Sequence, residues 1–170
     1  MKVKTGVLNT FLTISCFTGL GLSIYAYYIG LNLEVNKNYQ PLCDINERIS
    51  CTKPFKSKYA KGLGLFTEDS IFYKSNSLFG IFFYSLLTIL AQSSTRFTTS
   101  ISFVLIALSN FCSLWFAYIL YYVLYDLCMV CVGTYLVNFF NLILVHFKMR
   151  NTMDHILDES RRKKKKEKHN

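Results

Sequence analysis

Residues 125–147 read YDLCMVCVGTYLVNFFNLILVHF and join a C-x-x-C pair to a long apolar run. The pair is Cys128 and Cys131, and the apolar run continues from Val130 to Phe147. An apolar segment of about 20 residues is long enough to cross a bilayer as a helix. The stretch therefore predicts a membrane helix that carries a dithiol at one of its ends.

The rest of the chain alternates between apolar blocks and charged connections. Hydrophobic residues make up 52% of the chain while the formal net charge is +9, so apolar and charged residues must be segregated. We predict an all-α polytopic membrane four-helix bundle in residues 1–150, a luminal capping loop at 32–74 and a basic cytoplasmic tail at 151–170. The predicted spans are about 6–31, 75–95, 100–125 and 127–147, and the second has the shortest apolar core. A cleaved signal peptide is the alternative for the first block, but no A-x-A site follows it.

The distribution of Lys and Arg predicts the orientation. Nine follow the last span, two precede the first, and Arg96 lies between the second and third, against seven in the first connection. Because cytoplasmic segments carry excess positive charge, both termini are expected in the cytoplasm. Cys43, Cys51, Cys128 and Cys131 would then meet at one oxidising face of the membrane. If the second block did not span, the bilayer would separate the two pairs.

The C-terminus reads KEKHN at 166–170 and matches the pattern K-x-K-x-x. Cytoplasmic lysines at these positions form a retrieval signal for the endoplasmic reticulum, which agrees with luminal cysteines. The alternative is a basic tail that contacts anionic lipid, for which the six residues from Arg161 to Lys166 would suffice. We favour retrieval, and we predict a multi-pass protein of the endoplasmic reticulum membrane.

The C-x-x-C pair is the candidate reactive centre because a thiolate is a nucleophile. If the fourth helix begins near Asp126, both cysteines lie in its first turn, where free N–H groups stabilise a thiolate. Asp126 is a candidate cap for that helix, and its charge would oppose the thiolate. Apolar surroundings would oppose it too, and the sequence leaves the balance open.

Polar residues lie near the predicted dithiol. Tyr135 and Asn138 follow Cys131 at spacings of four and three residues, on one helix face. For Tyr135 a pocket and an interfacial aromatic belt are both open, and for Asn138 a helix–helix hydrogen bond is favoured. Asn76, in KSNSLFG, is favoured as the cap of the second helix, with an amide donor directed into the site as the alternative.

The second pair, Cys43 and Cys51 in LCDINERISC, has seven intervening residues. Zinc ligands usually have two to four between them, so no metal is expected. The pair is either a static disulfide or a shuttle that passes electrons to the C-x-x-C. Cys16 and Cys112 fall within spans and are expected to be small packing groups.

A dithiol above an apolar pocket favours a lipophilic oxidant. A quinone, or an epoxide derived from one, partitions into the bilayer and takes two electrons as the dithiol becomes a disulfide. No nucleotide-binding loop or haem motif is apparent, so the cysteines are the only redox cofactors that we expect. Membrane lipid is an expected partner, and nucleic acid is not.

The sequence resembles the vitamin K epoxide reductase family in its animal single-domain form. The resemblance covers nearly the whole chain and rests on LCDINERISC at 42–51, KSNSLFG at 74–80 and YDLCMVCVGTY at 125–135. It implies a four-helix membrane bundle with a luminal cap. It also implies reduction of vitamin K epoxide to the quinone, and of the quinone to the hydroquinone used in glutamate carboxylation.

The resemblance further implies an electron path through the cysteines. Cys131 would react with the substrate, with Cys128 as its partner thiol. Cys51 would exchange with Cys128, and Cys43 would receive electrons from a luminal thioredoxin-like oxidoreductase.

The resemblance also implies a binding site for the quinone. Asn76 and Tyr135 would hydrogen-bond its two carbonyl positions, and Phe55 and Phe79 would pack against its ring. Two departures put coumarin sensitivity and the balance of epoxide against quinone in doubt. Leu136 replaces the alanine of a TYA element, and the loop that precedes Asn76 is a few residues shorter than usual; both are expected to alter the pocket entrance.

Two other functions remain open on the sequence. One is a quinone-linked, disulfide-forming partner of luminal oxidoreductases, which would use the same cysteines. The other is a non-enzymatic membrane subunit with structural disulfides, in which replacement of Cys131 would change no activity.

Overall fold

The computed structural model of the 170-residue chain describes residues 5–46, 48–64, 70 and 73–167. Within these residues the protein is all-α, and the only β pairings are isolated bridges. Its helices are α1 (Thr5–Val35), α2 (Thr52–Lys56), α3 (Asn76–Gln92), α4 (Arg96–Tyr118) and α5 (Met129–Glu167). Helix α4 continues as a π-helix over Ile119–Val123, and two 3₁₀ turns lie at Lys58–Ala60 and Gly62–Gly64. The chain is therefore an all-α polytopic membrane protein, as the sequence predicts.

Three of the described helices, α1, α4 with its π-helical extension, and α5, are long and apolar enough to cross a membrane. Helix α3 has 17 residues, or about 25 Å at about 1.5 Å per residue, which is slightly less than the hydrocarbon core of a bilayer. It packs mainly against α1 and also contacts α4, while α5 packs against both α1 and α4. That α3 completes a fourth crossing remains a prediction.

Two helices extend beyond the predicted spans. Helix α1 continues to Val35, past the predicted end near 31, and α5 continues to Glu167, past the predicted end near 147. The second extension is rich in Lys, Arg and Glu, which are good helix formers whose side chains can remain in water. Apolar character ends near Phe147, but the helix does not, so the predicted boundary at 150 lies inside one continuous helix.

Small residues bring α1 and α3 into close contact. The Cα of Gly19 faces the ring of Tyr84, and the Cα of Gly80 faces the side chain of Ser23. Close approach of this kind is what small residues permit between membrane helices, where dispersion replaces the hydrophobic driving force.

A buried lysine caps α3 at the end opposite the loop. Lys148 of α5 is 1% exposed, and its Nζ donates hydrogen bonds to the carbonyl oxygens of Ala91 at 2.9 Å and Ser93 at 2.7 Å. The last carbonyl groups of a helix lack partners within the helix and carry partial negative charge, so an ammonium group stabilises them. This contact ties the end of α3 to α5.

The packing of Gly19 predicts a selective loss of stability. The added Cβ of Gly19→Ala would overlap the Tyr84 ring, so we expect destabilisation of about 1–3 kcal/mol. Gly21→Ala is the matched control, because no atom lies within 4 Å of its added Cβ. Thermal unfolding of the purified protein in detergent measures both, and equal melting temperatures for the two variants would contradict the packing described.

Candidate redox site

Backbone hydrogen bonds attach the first connection to the segment that precedes α5. The N–H of Ser50 donates to the carbonyl oxygen of Leu127 at 3.0 Å, and the N–H of Leu127 donates to that of Arg48 at 2.8 Å. The two segments run parallel at this point. The residues that follow Ser50 and Leu127 are Cys51 and Cys128, so the pairing brings these cysteines side by side.

The four cysteines form one cluster, as predicted. Cys43 and Cys51 are joined by a disulfide, and the Sγ atom of Cys128 lies 3.8 Å from that of Cys51. Cys128 and Cys131 are free thiols, and both Cys51 and Cys128 are fully buried. A thiol in contact with a disulfide sulfur is the arrangement that thiol–disulfide exchange requires.

Asp44 holds Cys51 in place. Its Oδ1 accepts hydrogen bonds from the N–H groups of Cys51 at 2.6 Å and Thr52 at 3.1 Å, and its Oδ2 accepts one from the Thr52 hydroxyl. Burial alone would raise the pKa of Asp44, but these hydrogen bonds together lower it below its ordinary value. The carboxylate thus acts as a cap for the N-terminus of α2. Both sulfur atoms beside it belong to the disulfide, so this group offers no free thiolate to a metal.

Cys128, and not Asp126, caps α5, so the predicted capping role of Asp126 is wrong. Cys128 directly precedes the helix, and its Sγ accepts a hydrogen bond from the N–H of Cys131 at 3.3 Å. The hydrogen bond from the Cys131 thiol lowers the pKa of Cys128 most, and the backbone N–H groups of Cys131 and Val130 lower it further, whereas burial and the charge of Asp126 raise it. The net effect is a lowered pKa, which favours the Cys128 thiolate.

A largely apolar cavity of about 390 Å³ opens beside this cluster, within the size range of small-molecule sites. Of the four clustered cysteines, only Cys131 is among the residues that the structure describes on its wall. The residues that the family resemblance assigned to quinone binding all lie on the same wall: Phe55, Asn76, Phe79 and Tyr135.

The chain belongs to the vitamin K epoxide reductase family. The model of that family matches residues 10–146. The proteins named vitamin K epoxide reductase complex subunit 1 from Rattus norvegicus and Mus musculus are 38% and 40% identical to it over 127 and 128 residues. Each match covers 72% of this chain and 79% of the relative. The chain is therefore an oxidoreductase, and the resemblance seen in the sequence is confirmed.

The two polar residues that follow the dithiol have different surroundings. The Tyr84 hydroxyl donates to Asn138 Oδ1 at 2.8 Å, and Asn138 Nδ2 donates to Ser113 Oγ at 2.8 Å, which links α3, α5 and α4. Asn138 thus has the helix–helix role favoured from the sequence. The Tyr135 hydroxyl has no hydrogen-bond partner among the described residues and is available to a ligand in the cavity. Tyr84 and Ser113 were not identified from the sequence, although a polar side chain in mid-span is a signal for such contacts.

The sequence favoured Asn76 as the cap of α3, and this prediction is wrong because Ser75 occupies the cap position. Its Oδ1 accepts a hydrogen bond from the N–H of Leu63 at 2.8 Å, and its Nδ2 donates one to the carbonyl oxygen of Tyr59 at 2.6 Å. Leu63 has a positive φ of 55°, and the amide of Asn76 satisfies its backbone N–H there. Asn76 therefore ties the loop over the cavity to α3.

Leu136 is 65% exposed and is not among the described residues of the cavity wall, so its effect on the pocket entrance stays a prediction. Cys112 is exposed and lies on that wall, whereas Cys16 is buried as expected. The rotation of each helix about its own axis determines which of its side chains lie on the cavity wall. The shortened part of the loop (65–69, 71 and 72), and Lys168 to Asn170 of the C-terminal signal, lie outside the described residues.

The contacts of Asp44 predict the effect of removing its carboxylate. In Asp44→Ala the N-terminus of α2 loses its cap, so we expect a local loss of about 1 kcal/mol, or about fivefold faster amide exchange in residues 51–56. Hydrogen exchange followed by mass spectrometry measures this, with the exposed tail variant Asp154→Ala as control. The pKa of Asp44 is lower in the folded protein than in the unfolded chain. The stabilisation that its carboxylate provides is therefore present above the pKa of the unfolded state, and it is lost as the pH falls through the pKa of the folded state. Unchanged exchange at neutral pH in Asp44→Ala would contradict the capping role.

Proposed function

We propose that the chain reduces vitamin K epoxide to the quinone, and the quinone to the hydroquinone, with Cys128 and Cys131 as the reducing dithiol. One observation carries the proposal: Cys131 lies on the cavity wall, while its partner Cys128 lies in contact with the Cys43–Cys51 disulfide. A substrate thiol and a relay disulfide are thus joined by one intermediate cysteine. The names of the rat and mouse relatives supply the substrate.

In the proposed reaction, Cys131 gives its proton to the neighbouring Cys128 thiolate and attacks the substrate, and Cys128 then displaces the substrate from Cys131. The dithiol becomes the Cys128–Cys131 disulfide. Two electrons and two protons convert the epoxide to the quinone and water, or the quinone to the hydroquinone. Negative charge develops on oxygen in both reactions, and hydrogen-bond donors in a largely apolar cavity stabilise it. The Tyr135 hydroxyl and the remaining N–H of Asn76 are the donors, while Phe55 and Phe79 pack against the ring.

Electrons return through the second pair in this proposal. A luminal thioredoxin-like protein reduces the Cys43–Cys51 disulfide, and Cys51 then attacks Cys128 of the oxidised dithiol. Burial supports this order, because Cys43 is 9% exposed whereas Cys51 and Cys128 are at 0%. The outer sulfur would receive electrons first, and the buried ones would pass them inward.

We infer that the cysteine cluster faces the lumen of the endoplasmic reticulum and that both termini are cytoplasmic. The cluster lies at the loop end of the helices, and the exposed basic residues Arg161 to Lys165 lie on the far extension of α5. This separation follows the positive-inside rule if that extension is cytoplasmic.

Turnover of vitamin K epoxide in membranes tests the proposal. With a small-molecule dithiol as reductant, we expect Cys131→Ala to abolish turnover and Cys43→Ala to retain it, because the small dithiol bypasses the relay. With reduced thioredoxin as reductant, both variants are expected to fail. Cys16→Ala removes a core thiol outside the cavity and serves as the control.

Two results would oppose this account. Turnover that survives Cys131→Ala would exclude the mechanism. Wild-type protein that reduces the quinone but never the epoxide would favour the disulfide-forming function instead.

A further inference from the structure

One buried acidic group near the cysteine cluster has no role in the reaction described so far. Asp126 lies between the π-helix and α5, where Tyr125 has a left-handed backbone conformation with φ 49°. Its side chain is 0% exposed, and neither carboxylate oxygen accepts a hydrogen bond from the described residues. Asp126 directly follows the turn at Tyr125 and precedes Cys128 by two residues.

Burial without hydrogen bonds is costly for a carboxylate. The attraction to Lys53 of α2 offsets little of this cost, since its Nζ lies 4.0 Å from Asp126 Oδ1 and the lysine side chain is 52% exposed. An ion pair at that distance with one exposed partner contributes little. A buried carboxylate is more stable when it accepts hydrogen bonds. Asp44 does so from Cys51 and Thr52, whereas Asp126 does not.

Charged and titratable groups from α2, from the loop and from the start of α5 act on Asp126. They are Lys53 of α2, Asp44 of the loop, and the thiols of Cys128 and Cys131. Burial raises the pKa of Asp126 most, Lys53 and the nearby backbone N–H groups of Leu127 and Ser50 lower it, and Asp44 raises it; the net effect is a raised pKa. Because the pKa of Asp126 is raised, this carboxyl group and a thiol differ less in acidity than an ordinary carboxyl and thiol, which favours proton transfer between them.

We propose that Asp126 accepts and returns the proton in thiol–disulfide exchange between Cys51 and Cys128. The proposal rests on the relay of the proposed function and adds to it the proton-transfer group. Thiol–disulfide exchange needs such a group because the attacking thiol must lose a proton and the departing thiolate must gain one. Cys51 and Cys128 are fully buried, so water does not reach them directly.

The proton and electrons balance in two steps. In the first, Cys51 gives its proton to the Asp126 carboxylate and attacks Cys128 of the oxidised dithiol, so the Cys51–Cys128 bond forms and Cys131 departs as a thiolate. In the second, Cys43 loses its proton to water and attacks Cys51. The Cys43–Cys51 disulfide forms, and Cys128 departs and takes the proton from Asp126. Two electrons have moved inward, and Cys131 is left as the thiolate that attacks substrate.

The test compares Asp126→Asn with wild type in the full chain, using vitamin K epoxide and two reductants over pH 6–9. With reduced thioredoxin, which needs the relay, we expect turnover at pH 7 to fall about 100-fold. We expect it then to rise about tenfold per pH unit, as the thiol must ionise unaided. With a small-molecule dithiol, which bypasses the relay, we expect a change of less than about threefold. Asp126→Glu is expected to restore relay-driven turnover.

A purely structural role for Asp126 would lower turnover by the same factor with both reductants and leave the pH profiles parallel, and this result would overturn the proposal. If Asp126→Asn does not fold, Lys53→Gln replaces it. Loss of the lysine charge would shift the acidic limb of thioredoxin-driven turnover to higher pH, and an unshifted limb would overturn the proposal. If Cys43→Ala keeps thioredoxin-driven turnover, the relay itself fails and the role of Asp126 falls with it.

Discussion

The hydrogen bonds between Leu127 and the first connection determine where the cysteines meet. Cys51 and Cys128 are 77 positions apart in the chain, and closing such a separation costs conformational entropy. The pairing with Leu127 fixes the register to one residue, so a shift by one position would place Ser50 or Thr52 opposite the thiol. Asp44 then fixes the direction in which the chain leaves Cys51, because it binds the backbone of Cys51 and Thr52. A relay through side-chain sulfur atoms depends on such backbone contacts.

The helices supply a rigid wall for this cluster. Gly19 and Gly80 bring α1 and α3 together, and the network around Asn138 ties α3, α4 and α5 to one another. Polar groups in an apolar surrounding are costly when unpaired, so such a network allows few alternative packings. The cavity beside Cys131 is therefore bounded by fixed helices on one side and by the loop on the other. Asn76 connects the two, since its amide binds the loop from α3.

Patterns that act along the chain could be read from the sequence, and contacts between separate segments could not. Apolar length predicted the helices, and the spacing of Cys131, Tyr135 and Asn138 predicted one common helix face. That face lines the cavity, which the spacing had left open for Tyr135. Asp126 and Asn76 were both assigned to caps because each stands at a helix start, but in each case a neighbouring residue has that position. Their actual surroundings depend on the fold of the loop. The exposure of Leu136 likewise depends on the rotation of α5, which a single helix does not reveal.

In the proposed relay, Cys128 lies between the substrate thiol Cys131 and the Cys43–Cys51 disulfide. The double variant Cys43→Ser, Cys131→Ser leaves Cys51 and Cys128 without their usual partners. Mass spectrometry of its unreduced peptides after mild oxidation measures which cysteines pair. Because the two sulfur atoms lie 3.8 Å apart, we expect a Cys51–Cys128 disulfide in nearly all molecules. Free thiols at both positions, or pairing of either with Cys16 or Cys112, would contradict it.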